Sequence, residues 1–87
     1  MAEITVEPQG DAFFVRVDDG STQTTHTVTV SDEDFERLGS GYGSREDFVS
    51  ACFAFLLEHE PKESILSTFD LSVIPRYFPE FEGEIRR

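Results

Sequence analysis

His59 sits in the run Glu58-His59-Glu60-Pro61-Lys62-Glu63, and residues 59 and 63 would share a helix face if the helix ran on. An imidazole among carboxylates is a metal-ligand vocabulary. Zinc, however, needs three or four convergent ligands, and no second His or Cys lies nearby in sequence. Pro61 also makes a continuing helix doubtful. The expectation is an exposed helix end with no metal, and no stretch shows the calcium-loop pattern of acids around a glycine.

The nucleophiles fare no better. Cys52 is the only cysteine, in the middle of an apolar run with no base beside it, so a buried, inert thiol is expected. A single cysteine forms no internal disulfide and no thiolate metal cage. The serines fall at cap and turn positions, which accounts for them without catalysis. Neither histidine stands in a triad context. His26 falls on the core-facing parity of a strand; a rim histidine bonded locally is the plain reading and a pH-sensitive group the sharper one. Gly39-Ser40-Gly41-Tyr42-Gly43 has glycine at alternate positions, but no Walker lysine follows and no buried parallel strand precedes it, so it reads as a flexible loop. No cofactor is expected, and the chain is not expected to be an enzyme.

The elements that would position these residues follow from period. In the first thirty residues Ile4 and Val6, then Phe13, Val15 and Val17, then Thr24, His26, Val28 and Val30 alternate with polar neighbours, the signature of half-buried strands. Asp19-Gly20 as a two-residue turn pairs Val15 with Thr24 and Phe13 with His26, while Gln9-Gly10 pairs Val6 with Phe13. Both registers place Ile4, Val6, Phe13, Val15, Val17 and His26 on one face. The expectation is a three-stranded antiparallel meander.

Helical signals take over at Ser31, an N-cap followed by Asp32, Glu33 and Asp34, which complement the helix dipole. Ser44 opens a long helix that Pro61 stops near Glu60. Phe48, Val49, Ala51, Cys52, Phe53, Ala54, Phe55, Leu56 and Leu57 make that helix apolar most of the way round. It must therefore be covered on two sides, or form half of a dimer contact. Short helices are expected from Pro61 to about Phe69 and from Val73 to Phe78, with a last segment carrying Phe81 and Ile85. The fold class is α+β in a single domain spanning residues 1–87, with a short helix, one long apolar helix and short C-terminal helices after the meander.

The segments HTVTVSDEDFERL and FAFLLEHEPKESILSTFDLSVIPRYFPEFEGEI, within residues 26–85, resemble a group of small bacterial proteins of unknown function. The runs Glu-Pro-Lys-Glu-Ser-Ile-Leu and Tyr-Phe-Pro-Glu are the most distinctive parts of the likeness. It implies a bacterial source and no activity, ligand or site.

Charge and surface narrow the function. Seven basic and 18 acidic residues give a net charge of −11, which repels phosphate backbones and suits a basic protein partner. The acids concentrate in residues 31–60, with eight acids and two bases, against five and four in residues 61–87. No run approaches the ~20 apolar residues of a membrane span. The start, Met-Ala-Glu-Ile-Thr-Val-Glu, is neither basic nor continuously apolar, so no signal peptide and a cytoplasmic location are expected. Phe14 stands on the outward face of the sheet among Gln23, Thr25, Thr27 and Thr29. The third strand, as an edge, carries no Lys, Glu or Pro to guard it. Phe14, Thr25, Thr27 and Thr29 are the candidate partner-binding residues, open to strand addition or to a homodimer through the sheet. The leading expectation is a non-enzymatic protein–protein interaction or regulatory module. The alternative is a nucleic-acid-linked regulator such as the antitoxin half of a toxin pair, with a small-ligand or enzymatic role third.

Residues 62–78 loosely resemble two short helices joined by a turn, but Arg76 is the lone basic side chain in the second. The isolated chain is expected not to bind DNA at physiological salt. A gel shift showing salt-sensitive, submicromolar retardation would contradict this.

Overall fold

A computed structural model describes residues 2–86. Three strands, β1 (Glu3–Gln9), β2 (Ala12–Asp18) and β3 (Gln23–Thr29), pair antiparallel in sequence order. Two helices follow, α1 (Asp32–Leu38) and α2 (Arg45–His59). The chain returns through a 3₁₀ turn (Lys62–Ser64) to β4 (Thr68–Asp70), a second 3₁₀ turn (Leu71–Val73), α3 (Ile74–Tyr77) and α4 (Phe81–Ile85). The fold is α+β with a four-stranded sheet in the order β1-β2-β3-β4.

The expected three-stranded meander is thus corrected. β4 lies parallel to β3, with Thr27, Val28 and Thr29 opposite Thr68, Phe69 and Asp70. The helix expected from Pro61 to Phe69 is a single 3₁₀ turn and then a strand. Around Phe69 burial alternates, with Phe69 and Leu71 inside and Thr68, Asp70 and Ser72 outside, a strand period too short to stand out from its surroundings.

Both hairpin registers differ from the expected ones by two residues. Val6 faces Val15 and Ile4 faces Val17, while Val15 faces His26 and Phe13 faces Val28. Gly10-Asp11 is the tight turn, and only Gly10 takes a positive φ (65°), the demand of a type II′ turn rather than I′. The second hairpin closes at Asp18 and Gln23 around a four-residue loop. There Asp18 Oδ1 accepts from Gly20 N at 2.8 Å, and Asp19 Oδ1 accepts from Ser21 N and Thr22 N at 3.0 Å each. These side chains take over loop amides that a tighter turn would bury in the ladder. A shift of two preserves parity, so the buried face is the expected one.

α2 is the centre of the molecule. Ser44 caps it, its hydroxyl accepting from Asp47 N, as Ser31 caps α1 by accepting from Asp34 N. Phe53 turns to the sheet, 5.4 Å from the His26 ring and 6.0 Å from Phe69. Phe48 meets Phe35 and Tyr42, while Phe55 meets Phe78 and Phe81. Most of the helix is covered within one chain, with Phe48, Val49, Cys52 and Phe53 fully enclosed and a narrow stripe of Asp47, Ala54 and Glu58 left to solvent. Gly39 sits where a Cβ would meet Phe35 and Phe48 carbons at 2.7 and 2.8 Å, so the loop after α1 is glycine-rich partly for close packing. Tyr42 then donates to Ile85 O at 2.7 Å, tying that loop to α4. No helix among the described residues is long and apolar enough to cross a membrane.

Phe53→Ala removes a fully buried ring at the junction of sheet and helix. It is expected to cost about 3–5 kcal/mol in chemical denaturation. A near-neutral result would contradict the central placement of α2.

Candidate functional site

Among the described residues, Leu66 and Tyr77 are the large apolar side chains left exposed, 52% and 70% accessible. They belong to one surface feature. A groove of about 270 Å³ lies between the C-terminal end of α2, the strap that leads into β4, and α3. Leu56, Ile65, Phe69 and Ile74 line it and belong to the buried core, and Glu60, Ser64 and Phe78 also line it. Two short turns and a four-residue helix cover this side of α2 without sealing it, which is how the groove arises.

The strap that carries Leu66 is held to the sheet by three polar ties. Thr27 N donates to Ser67 O at 2.7 Å. His26 Nδ1 lies 2.8 Å from Leu66 O, and its Nε2 lies 2.8 Å from Thr24 Oγ1. A carbonyl only accepts, so Nδ1 carries a proton there, and in the neutral ring Nε2 accepts from the threonine hydroxyl. His26 is 3% exposed, so it is an interior group and not the rim histidine that its strand parity implied. The third tie is Lys62, 5% exposed, whose ammonium donates to Asp19 Oδ2 at 2.7 Å and to Glu63 Oε2 at 2.6 Å. It fastens the end of α2 to the β2–β3 loop.

These charges shift one another. The Lys62 hydrogen bond, with help from the Thr22 and Ser21 amides, holds the Asp19 carboxyl well below the usual carboxylate range. Lys62 likewise lowers Glu63, and Asp19 followed by Glu63 raises Lys62. Burial alone pushes the Cys52 thiol up, away from the thiolate that a nucleophile needs.

The other residues singled out in the sequence are placed as follows. His59 is exposed, its ring 4.5 Å from Phe55 and 5.1 Å from Phe78, while Glu63 turns to Lys62. Phe14 and Thr27 are directly opposite on the outer sheet face, with Thr25 and Thr29 flanking along β3. Phe14 is half-buried, and Glu7 on β1 and Arg16 on β2 bring charge to a face expected to be uncharged there. The expected open edge of β3 is occupied by β4 over Thr27–Thr29, so strand addition at those residues is blocked. Among the described residues, the edges without a strand partner are β1, guarded by Glu3, Glu7 and Pro8, the three-residue β4, and the Gln23–His26 stretch of β3 that β4 does not reach.

The groove was not legible in the sequence. Its one trace is Leu66 beside Ile65, two adjacent apolar residues in a segment that can bury only one of them. Lys62 lay inside the distinctive Glu-Pro-Lys-Glu run, but nothing in sequence pairs it with Asp19, 43 positions away.

No protein-family model matches the chain, and no curated protein and no solved structure matches it.

The ion cluster sets a pH dependence with a definite sign. Asp19 and Glu63 are lowered on folding, so they stabilise above the ordinary carboxylate pKa, about 4, and that contribution is lost as pH falls through their depressed folded values. Lys62 is raised, so its share is complete below the ordinary lysine pKa, about 10.4, and is lost as pH rises through its folded value. Thermal melts of wild type should therefore fall on the acid side, below about pH 4. Asp19→Asn should melt lower at neutral pH and lose less on acidification; parallel curves for the two proteins would contradict the assignment.

Proposed function

We propose that the protein is a non-enzymatic protein–protein interaction module that engages its partner through the groove beside Leu66 and Tyr77. The observation that carries this reading is the exposure of those two side chains on one cleft that is also lined by core residues. Exposed apolar side chains gathered around one cleft are what a partner buries, and aromatic residues such as Tyr dominate interface energetics. The residues that would have carried catalysis have structural work instead. His26 has both ring nitrogens engaged, Cys52 is enclosed, and His59 packs at a tilt against Phe55 and Phe78.

A nucleic-acid-linked role has less behind it, since α3 is four residues long and carries only Arg76 as a basic side chain. A homodimer through the sheet would use the Phe14 face or an edge other than Thr27–Thr29, where β4 already pairs with β3.

A photo-crosslinking amino acid at position 66, introduced into the chain in its native host, tests the reading. A discrete protein adduct is expected, reduced when Tyr77 is also changed to Ala and absent when the cross-linker stands at Thr5 on the far side of the sheet. No adduct from position 66, or equal adducts from both positions, would reject it.

A further inference from the structure

We infer that the groove receives a basic segment of a protein partner, with a large apolar side chain seated between Leu66 and Tyr77 and a lysine or arginine set against Glu60. This rests on the groove being the interaction site and names the chemistry of its occupant.

The apolar half follows from size and lining. About 270 Å³ over a floor of Leu56, Phe69 and Ile74 accommodates one or two large side chains, since a cavity of roughly 150 Å³ holds a benzene ring. It falls below the roughly 300–1,000 Å³ of pockets that enclose a drug-sized ligand. A side chain carried on a peptide is the better fit.

The basic half follows from charge. Glu60 is the C-cap residue of α2, half-buried on the groove wall, and its carboxylate has no hydrogen-bond or ion-pair partner among the described residues. The C-terminal end of a helix carries the negative end of its dipole, so a carboxylate there is unfavourable until a cation reaches it. Glu58 on the last turn adds to the same potential. From position 58 to 80 there are five acids, Glu58, Glu60, Glu63, Asp70 and Glu80, against Lys62 and Arg76. Lys62 is consumed by Asp19 and Glu63, which leaves Arg76 as the free cation of this stretch among the described residues. A second copy of the chain is a poor occupant, because each copy carries a net charge of −11 and like charges suppress encounter.

A random dodecapeptide library displayed on phage, panned on the full wild-type chain and counter-selected on a Leu66→Ala, Tyr77→Ala variant, tests the inference. Both residues are exposed, so the variant should keep the wild-type circular dichroism. The expected consensus is one or two large apolar residues with Lys or Arg nearby. A synthetic peptide of that consensus should lose roughly fivefold or more in affinity against Glu60→Gln, weaken with added salt, and bind a Glu33→Gln control as it binds wild type. A neutral or acidic consensus, or basic peptides indifferent to Glu60→Gln, would overturn the inference while leaving the groove as the interaction site. A library that yields no binder dependent on Leu66 and Tyr77 would overturn both.

Discussion

A helix that is apolar most of the way round cannot lie on a surface with one face covered, and the rest of this molecule is arranged around that constraint. Phe48, Val49, Cys52, Phe53, Phe55 and Leu56 point to different sides of α2, and all are buried. One face of a small sheet covers one side of a helix. In a chain of 87 residues the remaining sides must be covered by whatever sequence is left, which here is the loop after α1 and everything beyond Pro61. The aromatic rings supply area quickly: Phe35 and Tyr42 against Phe48 on one side, Phe78 and Phe81 against Phe55 on another.

Covering the helix in this way forces the C-terminal third to wrap back to the sheet, and apolar packing alone does not specify where it lands. Polar contacts do. β4 adds a parallel ladder of three residues, His26 binds the Leu66 carbonyl, and Lys62 reaches Asp19. Asp19 lies on the β2–β3 loop, so a strap that landed elsewhere would leave the Lys62 ammonium with Glu63 alone. His26 works the same way: its ring is enclosed against Phe53, and the strap carbonyl is what satisfies Nδ1.

The parts legible in the sequence are those that depend on local period and caps. The strand faces, the Ser31 and Ser44 caps, the extent of α2 and the burial of Phe81 and Ile85 all follow from neighbours within a few residues. The register shift at both hairpins shows where locality stops. Parity is a strong constraint and allowed either register; the observed ones go with the positive φ of Gly10 at the first hairpin and with the Asp18 and Asp19 carboxylates binding loop amides at the second. β4 was missed for a related reason: three residues of alternation carry little signal, and its partner strand lies 41 positions earlier, from Thr27 to Thr68. Phe14, Thr25, Thr27 and Thr29 do share one face of the sheet, but the edge beside Thr27–Thr29 is taken by β4. Glu60, Leu66 and Tyr77 each look ordinary in sequence, and only the wrap of the C-terminal segment brings them to one groove.

That origin of the groove joins its stability to its occupancy. The segment from Lys62 to Tyr77 both closes the core over α2 and forms the walls of the cleft, so it has a dry side and a wet side with little between them. It is held by few regular backbone hydrogen bonds: two 3₁₀ turns, a three-residue ladder and a four-residue helix. Segments of that kind lie toward the low-stability end of a fold and open before the hairpins do. An occupant seated between Leu66 and Tyr77 contacts the ordered form of the strap and loses those contacts when the strap opens, so binding must stabilise closure by linkage. Enlarging the apolar cover to bury Leu66 and Tyr77 would stabilise the monomer and erase the groove. The incomplete closure of the core is, on this reading, what the interaction site consists of.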